Sequence, residues 1–169
     1  KSTLIRLLTG ELTPQIGDVN IGVNVRWQIM TQDHLAGIDA DQSAVDVFRS
    51  ILEWPEHRCR ASLAKYGIKA DFVTQPLRVL SAGQQARFKL ALTFAQDPEF
   101  LILDEPTNHV DPSTWEAIVE VIQGYSGTVL TVTHDRLFID AIAEKLWIIE
   151  NRKINVEFGN LSDYLGKGD

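Results

Sequence analysis

Phe100-Leu101-Ile102-Leu103-Asp104-Glu105-Pro106-Thr107-Asn108-His109-Val110-Asp111 is an apolar run that stops abruptly at two adjacent carboxylates. Such a run predicts a buried strand over residues 100–103, which would deliver both acids to the carboxyl edge of a sheet, where open α/β sheets bind their ligands. One acid there can hold a hydrated Mg²⁺, and the other can orient or deprotonate a water. A strand that merely ends in solvent would also carry polar residues, so the surroundings of the two acids decide what they mean.

Outward from this stretch the pattern alternates. Helices are predicted over 81–95, 112–123 and 136–143, with a second apolar strand over 128–133. That order implies parallel strands joined by helical crossovers. Upstream, residues 2–9 read as an amphipathic helix closed by Gly10, and Thr13-Pro14-Gln15-Ile16-Gly17 as a turn. Short strands are predicted at 18–21 and 25–30. Residues 42–75 turn helical, with Val45, Phe48, Ile51 and Leu52 on one face and Leu63, Ala64 and Tyr66 on a second segment. At the far end, 146–150 and 154–158, joined through Asn151-Arg152-Lys153, predict a hairpin, with Trp147 packed in the core or on the hairpin. Residues 161–165 predict a last short helix.

The bulk numbers bound this reading. A chain of 169 residues with 44% apolar composition is enough for one core, burying about two-thirds of the unfolded surface. The net charge is −7, from 23 acids against 16 Lys and Arg, which excludes an overall basic field drawing the chain to nucleic acid or anionic lipid. Any such contact must be local or lie outside the chain. The lone Cys59 excludes an internal disulfide and fits a reducing compartment. No stretch reaches the roughly 18 unbroken apolar residues of a membrane span, and no signal segment opens the chain. It reads as soluble and cytoplasmic. Its first residue is not Met, and helical spacing begins at once, which points to a sequence cut upstream.

Further motifs give the acids their context. Residues 103–109, Leu-Asp-Glu-Pro-Thr-Asn-His, resemble the Walker B segment of ATP-binding-cassette proteins, and the Thr-Asn-His continuation resembles the ABC-F subgroup. Lys1-Ser2-Thr3 resembles the end of the Walker A loop running into its helix, where the Lys would reach the β- and γ-phosphates and the Ser2 hydroxyl would bind Mg²⁺. Leu80-Ser81-Ala82-Gly83-Gln84-Gln85-Ala86-Arg87 resembles the cassette signature, with Ala82 in place of the usual first Gly. Read locally, Ser81 and Gln84 form a capping box before the apolar face of Phe88, Leu92 and Ala95. His134, at the end of the second apolar strand and one strand-helix-strand unit beyond Glu105, matches the switch histidine. Gln32 matches the Q-loop glutamine, with Gln28 as the alternative. Asp111 matches the D-loop aspartate and also reads as the N-cap of a helix starting at Pro112. His109 and Asp135 read as scaffold. The tail Leu146-Trp147-Ile148-Ile149-Glu150 and Gly159-Asn160-Leu161-Ser162-Asp163-Tyr164-Leu165 is similar to the end of ABC-F cassettes, although Arg152 stands where that hairpin often has Gly.

The resemblance implies a P-loop NTPase-like α/β fold: a mostly parallel sheet with helices on both faces, a helical signature subdomain over about 36–96, and a catalytic core over 1–35 and 97–169 with a C-terminal β-hairpin. The N-terminal strands would be missing from this single partial domain. It implies ATP and Mg²⁺ as ligands. Glu105 and His134 would be catalytic, Lys1, Ser2, Thr3, Gln32, Ser81, Gly83, Gln84 and Asp111 nucleotide-binding, and Ser2, Gln32 and Asp104 around Mg²⁺. Two cassettes would sandwich two nucleotides, so the implied partner is a second cassette in the same chain. ABC-F membership further implies contact with the ribosome and its RNA through regions outside this sequence, in translation or antibiotic resistance. The nucleotide-binding subunit of a membrane transporter is the alternative, and a non-catalytic structural fragment a third possibility. The short stretch between Gln32 and Ser81 leaves no room for the long arm of a first ABC-F cassette and points to the second. A chain beginning inside its phosphate loop is expected to bind ATP negligibly by itself.

Overall fold

The run at 100–103 becomes β2 (Phe100–Asp104), the middle of a three-stranded parallel sheet. A computed structural model describes residues 2–151 and 153–166, so the expectations for Lys1 and Arg152 lie outside the described residues. Leu101, Ile102 and Leu103 are fully buried, and each contributes roughly 1.5–3 kcal/mol by leaving water. A strand covered on both faces needs neighbours on both edges. β1 (Trp27–Met30) and β3 (Thr128–Val132) supply them, with Met30 opposite Leu103 and Asp104 opposite Val132. All three strands therefore point the same way, and their carboxyl ends form one edge.

Helices complete the layers. α1 (Ser2–Leu8) opens the chain and buries Ile5. α2 (Ala44–Leu52) and α3 (Glu56–Lys65) form the helical insert, followed by a 3-10 turn, Leu77–Val79. α4 (Ala82–Ala95) links the insert to the sheet, because Phe88, Ala91 and Leu92 pack with Phe48, Leu63 and Leu77 on one side while Ala86 and Leu90 pack with Met30, Leu103 and Ile118 on the other. α5 (Pro112–Gln123) and α6 (Arg136–Ile142) flank β3 in sequence and bury Ile118, Ile122 and Phe138. A separate antiparallel ribbon, β4 (Lys145–Glu150) with β5 (Lys153–Phe158), precedes α7 (Leu161–Gly166). Asp140 of α6 accepts the Ser162 amide and hydroxyl and so ties α7 to α6.

The expected α/β architecture with a parallel sheet holds, with three corrections. Residues 18–21 are not a strand: no strand pairs with them, and the flanking Ile16 and Val23 are solvated. β-propensity without a ladder partner does not make a strand. Ile51 and Ala64 fall on exposed positions rather than on the buried faces of α2 and α3. Trp147 takes the hairpin placement rather than the core one, across from Val156 on a ribbon face that leaves it about half exposed. Lys153 pairs with Glu150 and so belongs to β5 rather than to the turn. Among the described residues no helix is long and apolar enough to cross a membrane.

Candidate functional site

The two acids sit where β2 leaves the sheet. Glu105 adopts φ 51, a left-handed conformation that costs a non-glycine residue roughly 1–2 kcal/mol. Its amide still bonds to the Val132 carbonyl at 2.8 Å, so the backbone twists only after the ladder to β3 is complete. That twist sends the carboxylate toward the end of β3. Thr133 Oγ1 and the His134 amide both donate to Glu105 Oε2 at 3.3 Å, and His134 Nε2 lies 3.5 Å from Oε1. Thr133 also accepts from the Asp135 amide at 3.1 Å, which fixes its hydroxyl. Two donors just past β3 thus hold one face of Glu105, while the His134 ring remains largely exposed. The register places Gln32, two residues beyond Met30, at the same edge as Glu105, two residues beyond Leu103.

Asp104 has a different environment. Burial, followed by the neighbouring negative charge of Glu105, pushes its carboxyl above the usual range. No basic side chain among the described residues pairs with it. A divalent cation would relieve both effects, and a carboxylate with hydroxyl and amide oxygens is a hard donor set suited to Mg²⁺. Among the described residues no three His, Cys, Asp or Glu side chains gather into a cage. Mg²⁺ needs none, since it is held by one or two carboxylates together with substrate phosphates and water. The residues present therefore fit such an ion.

A second group forms where α4 and α5 begin. Ser81 caps α4: its hydroxyl accepts from the Gln84 amide, and Gln84 Oε1 accepts from the Ser81 amide. Asp111 caps α5 through the Thr114 amide, with Pro112 in the first turn. Hydrogen bonds from the Ser113 hydroxyl, and then from Thr114, hold the Asp111 carboxyl well below the usual carboxylate range. The two helix starts touch at Gly83, where an added Cβ would come within 2.4 Å of Asp111 Oδ2. They border a hollow of about 230 Å³ with Lys69 and Arg87 on its wall.

The expected site residues thus fall into two sets. Asp104, Glu105, His134 and, by register, Gln32 meet at the sheet edge, while Ser81, Gly83, Gln84 and Asp111 meet at the α4 and α5 starts. Ser2 and Thr3 are exposed in the first turn of α1. Thr133 went unnoticed in the sequence, although it immediately precedes His134. Asp135, read as scaffold, caps α6 and accepts from Trp115 Nε1 at 2.7 Å, binding α5 to α6.

The family described as ABC transporter matches residues 1–108. The chain belongs to the ATP-binding-cassette family. Mouse ATP-binding cassette sub-family F member 3 is 35% identical over 165 residues, covering 97% of this chain and 23% of that protein. The probable ATP-binding protein YheS of Escherichia coli K12 is also 35% identical over 165 residues, covering 97% of this chain and 26% of its own. The expected likeness to the ABC-F subgroup is borne out by these relatives, of which this cassette sequence spans about a quarter. Solved cassettes share its fold. The dimeric, post-hydrolysis ATP-binding cassette MJ0796, bound to ADP and Pi, superposes with a TM-score of 0.73 at 18% identity, over 93% of this chain and 79% of that one. The cbiO1 protein of Clostridium perfringens, part of the ABC transporter complex cbiONQ, gives 0.73 at 22% identity, over 99% and 75%.

Proposed function

We propose that this cassette binds and hydrolyses ATP as the second cassette of an ABC-F-type tandem protein acting in the cytoplasm on the ribosome. The observation that carries the ATPase reading is Glu105, turned by its left-handed backbone onto the end of β3 beside His134. There it is a carboxylate steadied by two donors on Oε2, with Oε1 turned toward the His134 ring, able to take the proton of a water as the water oxygen attacks the γ-phosphorus and the bond to ADP breaks. His134 steadies the water and the γ-phosphate. Lys1 and, in the first turn of α1, Thr3 hold phosphate. Bound Mg²⁺, held by Ser2, Gln32, Asp104 and the nucleotide itself, would neutralise phosphate charge. Ser81, Gly83 and Gln84 serve the nucleotide of the opposite cassette, with Asp111 beside them.

The two apolar clusters support dividing the cassette into a signature unit over 36–96 and a core over 1–35 and 97–169. The ABC-F reading draws support from Asn108-His109, the short insert and the curated relatives. A second reading, the nucleotide subunit of a membrane transporter, draws support from solved neighbours such as cbiO1.

In a two-cassette assembly containing this chain, Glu105→Gln is expected to keep ATP binding while slowing multiple turnover by about 100-fold or more. Unchanged turnover would remove Glu105 from its role. Sedimentation of the Glu105→Gln protein with ribosomes in ATP, rather than with a membrane-spanning partner, separates the two readings.

A further inference from the structure

We propose that Arg87 is a positioning residue that locks the first turns of α4 and α5 together, so that Ser81, Gly83 and Asp111 move as one rigid unit. The proposal rests on the nucleotide reading only for its purpose; the tie itself is in the geometry. Arg87 Nε donates to Thr114 Oγ1 at 3.0 Å, and Nη2 donates to Ser113 Oγ at 2.8 Å. Each hydroxyl then donates to one oxygen of the same carboxylate: Ser113 to Asp111 Oδ1 at 2.6 Å and Thr114 to Asp111 Oδ2 at 2.8 Å. Cation and anion are thus joined by two parallel rails, each running from guanidinium to hydroxyl to carboxylate. Each hydroxyl both accepts and donates, so the bonds in a rail polarise one another. Thr114 is buried, which keeps water from replacing its rail.

Two glycines shape the slot. Gly83, in the first turn of α4, presses its bare backbone against the Asp111 carboxylate and the Thr114 hydroxyl, at 2.4 and 2.9 Å from where a Cβ would stand. Gly67, just past α3, lies against the other side of the guanidinium, with Nη1 2.4 Å from its would-be Cβ. Three elements therefore converge at one side chain: the end of α3, α4 that carries it, and α5, the helix after the Asp104-Glu105 pair. Arginine is required because two hydroxyls at fixed separation need a planar fork, which a lysine ammonium cannot supply from one point. Held half-buried in this slot, Arg87 links the helical insert to the sheet core. On the nucleotide reading, the link keeps the signature hydroxyl and Asp111 in fixed relation across a cassette pair.

The test uses the 169-residue chain without nucleotide. Hydrogen exchange is followed by mass spectrometry at the starts of α4 and α5 and, as reference, in α2. Arg87→Lys and Thr114→Val are each expected to speed exchange at both helix starts by about tenfold or more, leaving α2 unchanged. Thr114→Ser, which keeps the hydroxyl, is expected to restore protection. Carbon-detected NMR titration should show the Asp111 carboxyl rising toward the ordinary range in Arg87→Lys while Asp135 stays put. Unchanged exchange in both variants overturns the proposal. Faster exchange that extends equally to α2, or an Asp111 titration indifferent to Arg87, also overturns it, since Arg87 would then be only a general stabiliser. Because no arm contains ATP, a failed tie leaves the ATPase reading standing, and absent ATP binding leaves the tie standing.

Discussion

Asp104 is carried half-buried to a sheet edge beside a second carboxylate, and the fold bears the cost of both burial and repulsion. Its folded pKa is raised. Its contribution is therefore fully present below the unfolded value, about 3.9, and is lost as pH rises through the folded value. At neutral pH Asp104→Asn is expected to leave the melting temperature unchanged or raise it by about 1–2 °C, kept small by solvent screening. Thermal denaturation followed by circular dichroism, without nucleotide or divalent ions, checks this; a clear drop would contradict it. Asp111 and Asp135 have the opposite sign. Burial alone would raise Asp135, but bonds from the Phe138 amide, Trp115 and Thr107 outweigh it. Their stabilisation is present above the unfolded value and lost as pH falls through the folded one, in a window below about pH 4. Residue roles that depend on near neighbours in sequence were legible beforehand: Ser81 with Gln84 and Asp111 with Pro112 are caps readable from spacing. Arg87 with Ser113 and Thr114, or Thr133 with Glu105, join residues far apart in sequence, and no local pattern announces them.

Among the elements, the start of α4 shows how magnitudes decide a substitution. Gly83→Ala would gain roughly 1 kcal/mol of helix propensity. The new Cβ would meet a carboxylate and a hydroxyl pinned by the bonds described above, an overpacking that costs about 1–3 kcal/mol. A net loss of stability is expected, read from urea unfolding, whereas Ala82→Gly at the exposed neighbouring position loses only the propensity, about 1 kcal/mol. Greater stability in Gly83→Ala would refute the close approach. Element existence was readable wherever a partner was certain: β2 and β3 are apolar runs separated by one crossover helix. Residues 18–21, Asp-Val-Asn-Ile, were also expected to form a strand, yet a strand is a property of a pair, and a single segment's sequence does not contain its neighbour.

Across the whole molecule, the apolar surface is unevenly distributed. One face of the β4–β5 ribbon sets Trp147 against Val156 and Ile149 against Ile154, all four exposed. The unbroken apolar run Leu146-Trp147-Ile148-Ile149 was visible in the sequence, but which side would be covered was not. So much contiguous apolar area promotes self-association. Ile149→Thr with Val156→Lys is therefore expected to raise the concentration at which light scattering detects oligomers, leaving the circular dichroism spectrum intact; unchanged scattering would count against the ribbon as the cause. α4 has the reverse character, embedded along opposite sides in two separate apolar clusters. A rod gripped along two sides cannot flex in its middle without opening both grips at once. Its compliance is confined to the junctions at 80–81 and 96–99, so a push arriving at either end emerges at the other as rotation of the whole lever.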